Sequence, residues 1–178
     1  MAVIKMNKQN VWWLSTSFGT TDRTAGFSSY AELKERNVLA QGFSLTGSLN
    51  QYLNLTGENQ NEFLRKVNEL CCKAYGTEIL RRNPGRRLLN LLLIKKNDIV
   101  AVCDGVMVKG AVKVLNTPGY FFNENFMKSG FSHEIRGEFL WKDWNFLKNG
   151  LPPKTKSQGP CGIDLCHRNR ELFLDLFN

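Results

Sequence analysis

The stretch Arg86-Arg87-Leu88-Leu89-Asn90-Leu91-Leu92-Leu93-Ile94-Lys95-Lys96-Asn97-Asp98-Ile99-Val100-Ala101-Val102-Cys103-Asp104-Gly105 decides the fold class, together with the run Val106–Leu115 that follows it. Leu88–Ile94 reads as an apolar helix, and Lys95-Lys96-Asn97-Asp98 turns out of it. Ile99–Cys103 has the β-branched composition of a buried strand. Asp104-Gly105 fits a two-residue hairpin turn, because both residues tolerate positive φ. Val106–Leu115 then returns as the antiparallel partner, with Gly110 a candidate bulge. A hairpin here argues against a purely parallel sheet, which needs a crossover between successive strands.

Working outward, Val11–Thr16 reads as a strand, and Trp12 and Trp13 point to opposite faces of it, so one of them is expected in the core. Ser28-Ser29 with Glu32 forms a capping box before a short helix, Tyr30–Arg36. Val38–Phe43 is a second short strand. Asn59 and Glu62 open a longer helix whose Phe63, Val67, Leu70, Cys71 and Ala74 recur at helical spacing, and Gly76 ends it. Downstream, Tyr120–Phe122 and Ile135–Trp141 read as strands and Lys148–Pro160 as a loop. Ile163–Phe177 reads as a terminal helix, since Leu172 and Leu176, like Phe173 and Phe177, lie four residues apart. The expectation is an α+β domain: a small mixed β-barrel of five or six strands flanked by helices. Residues 1–10 form a flexible N-terminus, 11–147 the domain proper, and 148–178 a loop and helix packed on it.

A chain of 178 residues is enough for one domain that buries about 70% of its unfolded surface without disulfides or metal. No apolar run approaches the length of a membrane span, and the N-terminus lacks a signal-peptide pattern. Five cysteines, odd in number and irregular in spacing, suit reduced thiols in a cytoplasm. Enzyme motifs are weak. Gly42–Ser48 mimics a phosphate-binding loop, but Ser48 stands where the lysine must be. Asp22 with Glu32-Leu33-Lys34 matches a loose metal-nuclease pattern, but Glu32 and Lys34 do not share a helix face. Cys161, Cys166 and His167 give three candidate zinc ligands and no fourth. No catalytic residue, metal or cofactor is therefore assigned.

Charge is more informative. The sequence carries 24 Lys and Arg against 16 Asp and Glu, a net +8. Arg81, Arg82, Arg86, Arg87, Lys95 and Lys96 crowd into 16 residues that contain no acid. Guanidinium forks match phosphate oxygens, so these six are the candidate phosphate-binding residues. Seven aromatics (Trp12, Trp13, Phe18, Phe27, Phe43, Trp141 and Trp144) lie at or near strand ends and loops. Most belong in a core, and two or three are expected to line a pocket where a base could stack.

The order of motifs resembles the EVE branch of the PUA-like superfamily, kin to YTH and ASCH domains. Trp13-Leu14-Ser15-Thr16-Ser17 is similar to the opening EVE strand. Arg86–Val100 looks like its helix and Lys-Lys-Gly-Asp turn, with Asn97 in place of the glycine. Lys109–Val114 looks like the following Gly-containing strand, and His133-Glu134-Ile135-Arg136 with Trp141 like the late His-x-x-Arg … Trp strand. The resemblance implies a barrel with a pocket for a single modified base. The family's post-strand Ser corresponds to Ser17, and its aromatic after Gly to Phe43. Asp104, Trp141 and Trp144 complete the expected base pocket. The implied role is a non-catalytic domain that flips a modified, methylated base of DNA into that pocket. Such domains form the N-terminal modules of McrBC-type restriction systems, which implies an AAA+ motor and a nuclease subunit as partners. The alternatives are an RNA-binding PUA-like module and a protein–protein adaptor.

Overall fold

Val11–Ser15 forms the first strand, β1, in a computed structural model that describes residues 9–15, 29–104, 107–126, 131–150, 162–167 and 169–178. Every residue of β1 is buried. β1 runs parallel to β3 (Ile99–Asp104), with Val11 opposite Ile99 and Ser15 opposite Cys103. β3 pairs antiparallel with β4 (Met107–Val114), and β4 with β7 (Phe139–Asp143). On the other side β1 takes β8 (Ile163–Leu165), giving a five-stranded sheet in the order β7-β4-β3-β1-β8. A second sheet of three strands runs β2 (Val38–Gln41), β6 (His133–Arg136), β5 (Gly119–Phe122). The class is α+β as expected, but among the described residues the eight strands form two sheets and no closed barrel.

The helices are α1 (Ser29–Arg36), α2 (Gln60–Tyr75), α3 (Pro84–Leu92), α4 (Phe146–Asn149) and α5 (Arg170–Asp175). The main core lies where β1, β3 and β4 meet β2, β6, α1 and α3. Trp12, Leu14, Leu39, Leu91, Val100, Val112 and Ile135 pack there. On the opposite face of the large sheet, Trp13, Ala101, Cys103, Trp144 and Phe173 form a second cluster. Both faces of β1 are thus covered, so Trp12 and Trp13 are both core rings, not one of the two. A third cluster joins α2 to α3 through Phe63, Val67, Cys71, Leu88 and Leu89. No described helix is long and apolar enough to cross a membrane.

The Lys-Lys-Asn-Asp turn is built around Asp98. Its buried carboxylate accepts from the indole Nε1 of Trp12 at 2.8 Å and the backbone N–H groups of Asn10 and Lys95. Asn97 takes the left-handed conformation, φ 72°, which an asparagine tolerates better than most residues. The bulge falls next to Gly110: Val102 faces Gly110 while Cys103 faces Val108. Gly110 is needed for space, since a Cβ there would stand 2.2 Å from the Tyr30 hydroxyl and 2.6 Å from the Lys142 carbonyl.

Three local expectations change. Asp104 is the last residue of β3, paired with Met107, so the hairpin connection lies one residue later than Asp104-Gly105. Ile135–Trp141 is not one strand. Gly137 and Glu138 separate β6 from β7, which belong to different sheets. Ile163–Phe177 is not one helix either, because its first residues pair with β1 as β8.

Candidate nucleic-acid interface

The basic segment is carried by a 3₁₀ turn, Thr77–Arg82, and by α3. Asn83, left-handed at φ 48°, and Pro84 at the first helical position break the chain between them. α3 turns Leu88, Leu89 and Leu91 inward, which leaves Arg86 on its solvent face. Its N-terminus lies close against α2, where the Gly85 N–H donates to the Asn68 side chain at 3.0 Å. Lys95 and Lys96 project from the turn that Asp98 holds.

Arg81, Arg82, Arg86, Lys95 and Lys96 are exposed, and Arg87 is half-buried beside Gly162. Arg81 is paired with Glu78 at 2.9 Å, an acid just upstream of the basic run. Both side chains are largely in water, so the pair adds little stability but offsets the Arg81 charge. No described carboxylate pairs with Arg82, Arg86, Lys95 or Lys96. Their charge is directed to solvent from both ends of one helix.

The expected base pocket is dispersed. Ser17, Phe18 and Phe27 lie outside the described residues. Asp104 is the last residue of β3, one position beyond the Ser15–Cys103 pair that ends the pairing with β1. Trp144 is only 7% exposed, with its Nε1 donating to the Gly150 carbonyl and its ring against Phe173. It is a core ring, not a pocket wall. Trp141 packs on the main core, edge-on to Tyr30 at 5.8 Å, and its Nε1 donates to Asn37 at 2.9 Å. Two strand residues turn the chain between them, so Trp141 and Trp144 fall on opposite faces of the large sheet. Neither shares a cluster with Phe43.

Phe43 is half-buried and left-handed, φ 70°, which is rare for a bulky residue. A set of hydrogen bonds holds it there. Its carbonyl accepts from Nε2 of His133 at 3.2 Å and from the Thr46 hydroxyl at 2.8 Å. With Nε2 as donor, Nδ1 of His133 accepts from the Tyr120 hydroxyl at 2.8 Å, and Tyr120 accepts from the Leu49 N–H. The Phe43 ring meets Tyr75 edge-on at 6.4 Å, and the Tyr75 hydroxyl accepts from the Leu45 N–H.

Two residues before Phe43, Gln41 is 2% exposed and its amide Nε2 has no hydrogen-bond partner. It pairs across the sheet with His133. A buried donor left unmatched costs about 1–3 kcal/mol, a cost that a bound acceptor removes. Nothing in the sequence marked Gln41, because a glutamine at a strand end reads as surface.

His133 is fully buried, and burial holds its imidazole down at about 4, with the Phe43 carbonyl acting in the opposite direction. The unfolded chain takes up this proton near 6.5, whereas the folded chain resists it until about 4. Stability is therefore complete above 6.5 and falls as acid carries the pH down through that window, by at most about 3 kcal/mol. Urea unfolding at several pH values between 7.5 and 4 is expected to show this slope, and His133→Gln to flatten it. An equal slope in both proteins would assign it elsewhere. His167, the only other histidine of the sequence, is exposed.

Among the described residues no group of His, Cys, Asp or Glu is arranged to hold a metal ion. Cys161 lies outside them, and Cys166 is buried. No family model matches the chain, and no match is found among curated proteins or solved structures.

Proposed function

We propose that this chain is a non-catalytic, cytoplasmic nucleic-acid-binding domain that reads a modified base in DNA. The exposed face of α3 holds the strand backbone, and the half-exposed Phe43 ring stacks on the flipped base. The observation that carries the reading is the set of four cations, Arg82, Arg86, Lys95 and Lys96, exposed on one short segment without a carboxylate partner among the described residues. The unmatched Gln41 donor, two residues before Phe43, supports the base-reading part, since a base presents acceptors on its edge and a face for stacking. The likeness of the motif order to EVE domains supports a PUA-like ancestry. It also supports a role as specificity module of an McrBC-type restriction system, with the motor and nuclease supplied by other segments or subunits.

Phe43→Gly tests the base-reading part cleanly, because glycine adopts φ 70° without strain and only the ring is lost. The preference for methylated or hydroxymethylated over plain oligonucleotides is expected to fall about tenfold, within the range of one lost stacking contact. Affinity for plain DNA is expected to stay within about twofold of the parent. Equal loss on both DNAs removes Phe43 from base reading. Tighter binding of a matched RNA moves the reading to an RNA module, and no binding to either favours a protein adaptor.

A further inference from the structure

β5 is an edge strand of the three-stranded sheet, and its Phe121 is 42% exposed. Across the pair, Phe121 faces Glu134, and Arg136 lies two residues on along β6, so all three side chains point to the same face. The guanidinium carbon of Arg136 stands 3.5 Å over the centre of the Phe121 ring. Its Nε donates to the Glu134 carboxylate at 2.9 Å. Glu134 itself is fully buried and fixed by Arg36 and by Asn123 at 2.9 Å. The Arg136 side chain remains 46% exposed, and no described residue accepts from its terminal nitrogens. A flat cation is thus clamped at one edge, backed by a ring, and open on its outer side.

We infer that the Phe121–Arg136 pair is a stacking platform for an unpaired nucleobase, a contact separate from both α3 and Phe43. Planarity and charge decide between base and phosphate. Glu32 and Glu134 balance Arg36 and Arg136, so the cluster carries no net charge, and an approaching phosphate gains little from it. A guanidinium held over a ring offers a large flat surface to a third flat group, and base faces stack on such surfaces whatever their sequence. The inference rests on the nucleic-acid reading above and extends it to a single-stranded stretch.

The test uses the full chain and two labelled probes: a single-stranded oligothymidylate of about 15 nucleotides, and an abasic strand of equal length. Phe121→Leu keeps apolar cover, and Arg136→Lys keeps the charge but loses the plane. Each is expected to weaken oligothymidylate binding about tenfold, to leave the salt dependence unchanged, and to bind the abasic strand like the parent. Thermal melts check that both variants fold; if Arg136→Lys does not, Phe121→Leu decides, since its ring lies outside the cores. Unchanged oligothymidylate binding by the variants overturns the platform alone, as does an equal loss on the abasic strand. A parent chain that binds neither strand overturns the platform, and the titrations with modified and plain oligonucleotides decide the nucleic-acid reading on their own.

Discussion

Replacing Arg86 and Lys95 together by glutamate is expected to weaken DNA binding about a hundredfold or more near 0.1 M salt, whatever the sequence of the DNA. That is a loss of about 3 kcal/mol. Arg86 stands in the first turn of α3 and Lys95 in the turn beyond its C-terminal end, so the two side chains flank the helix. Two phosphates are therefore within reach, and each neutralised phosphate contributes about 0.9 to the slope of log affinity against log salt. Loss of both contacts flattens that slope by about 2. The fold tolerates the change: both positions are exposed, and a glutamate at position 86 sits in the first turn of α3, where the helix dipole favours it. The substitution lowers the net charge from +8 to +4, since each reversal subtracts two. Lys109→Glu with Lys148→Glu subtracts the same four charges at other exposed positions and serves as the control. Anisotropy titrations over a salt series separate the two. If the α3 variant and the control fall on the same line, overall charge and not the α3 face drives binding.

What the sequence disclosed follows from how local the deciding interactions are. The end of α2 at Gly76 and the turn at Asn97 each depend on residues a few positions apart and appear where the local pattern puts them, and the β3–β4 hairpin lies within one residue of its expected place. β8 was hidden because its stability comes from pairing with β1, some 150 residues away. The helical spacing of Leu172 and Leu176 is real but describes only the last turns. The break between β6 and β7 was hidden in a similar way. Gly137 packs so closely against Asn116 that a Cβ would stand 2.7 Å from the asparagine oxygen, and no local rule foresees that approach. For the site, the basic residues were legible because charge is counted directly, while the Glu78 pairing of Arg81 needed the 3₁₀ turn to bring them together. The aromatics were legible as rings but not as neighbours. Which face a ring takes is set by strand parity, and which cluster it joins by the order of strands in the sheet.

Glu134→Ala is expected to cost about 3–5 kcal/mol of stability, the range found when one member of a buried ion pair is removed. In the sequence Glu134 lies just before the expected strand Ile135–Trp141. In the fold it is fully buried, and three donors converge on it from α1, β6 and the segment after β5. Alanine leaves the mostly buried Arg36 facing one carboxylate fewer, with its Glu32 pair at 2.8 Å kept, and deprives the buried Asn123 amide of the Glu134 acceptor. Against a total stability of about 5–15 kcal/mol, such a loss leaves little margin. The exposed Lys34–Asp143 pair, at a similar distance of 2.7 Å, provides the contrast. Its removal is expected to cost under about 1 kcal/mol, since water screens both charges. Urea unfolding reads both: a large drop in midpoint for Glu134→Ala at constant m, and a small one for Lys34→Ala. Adding Arg36→Ala to Glu134→Ala removes the cation that the single variant leaves with one carboxylate fewer, so the double variant is expected to be more stable than the sum of the two single losses predicts. Strict additivity, or a Glu134→Ala midpoint close to the parent, means that the carboxylate does not hold α1 against the sheet. The orientation of Arg136 over Phe121 would then need another cause.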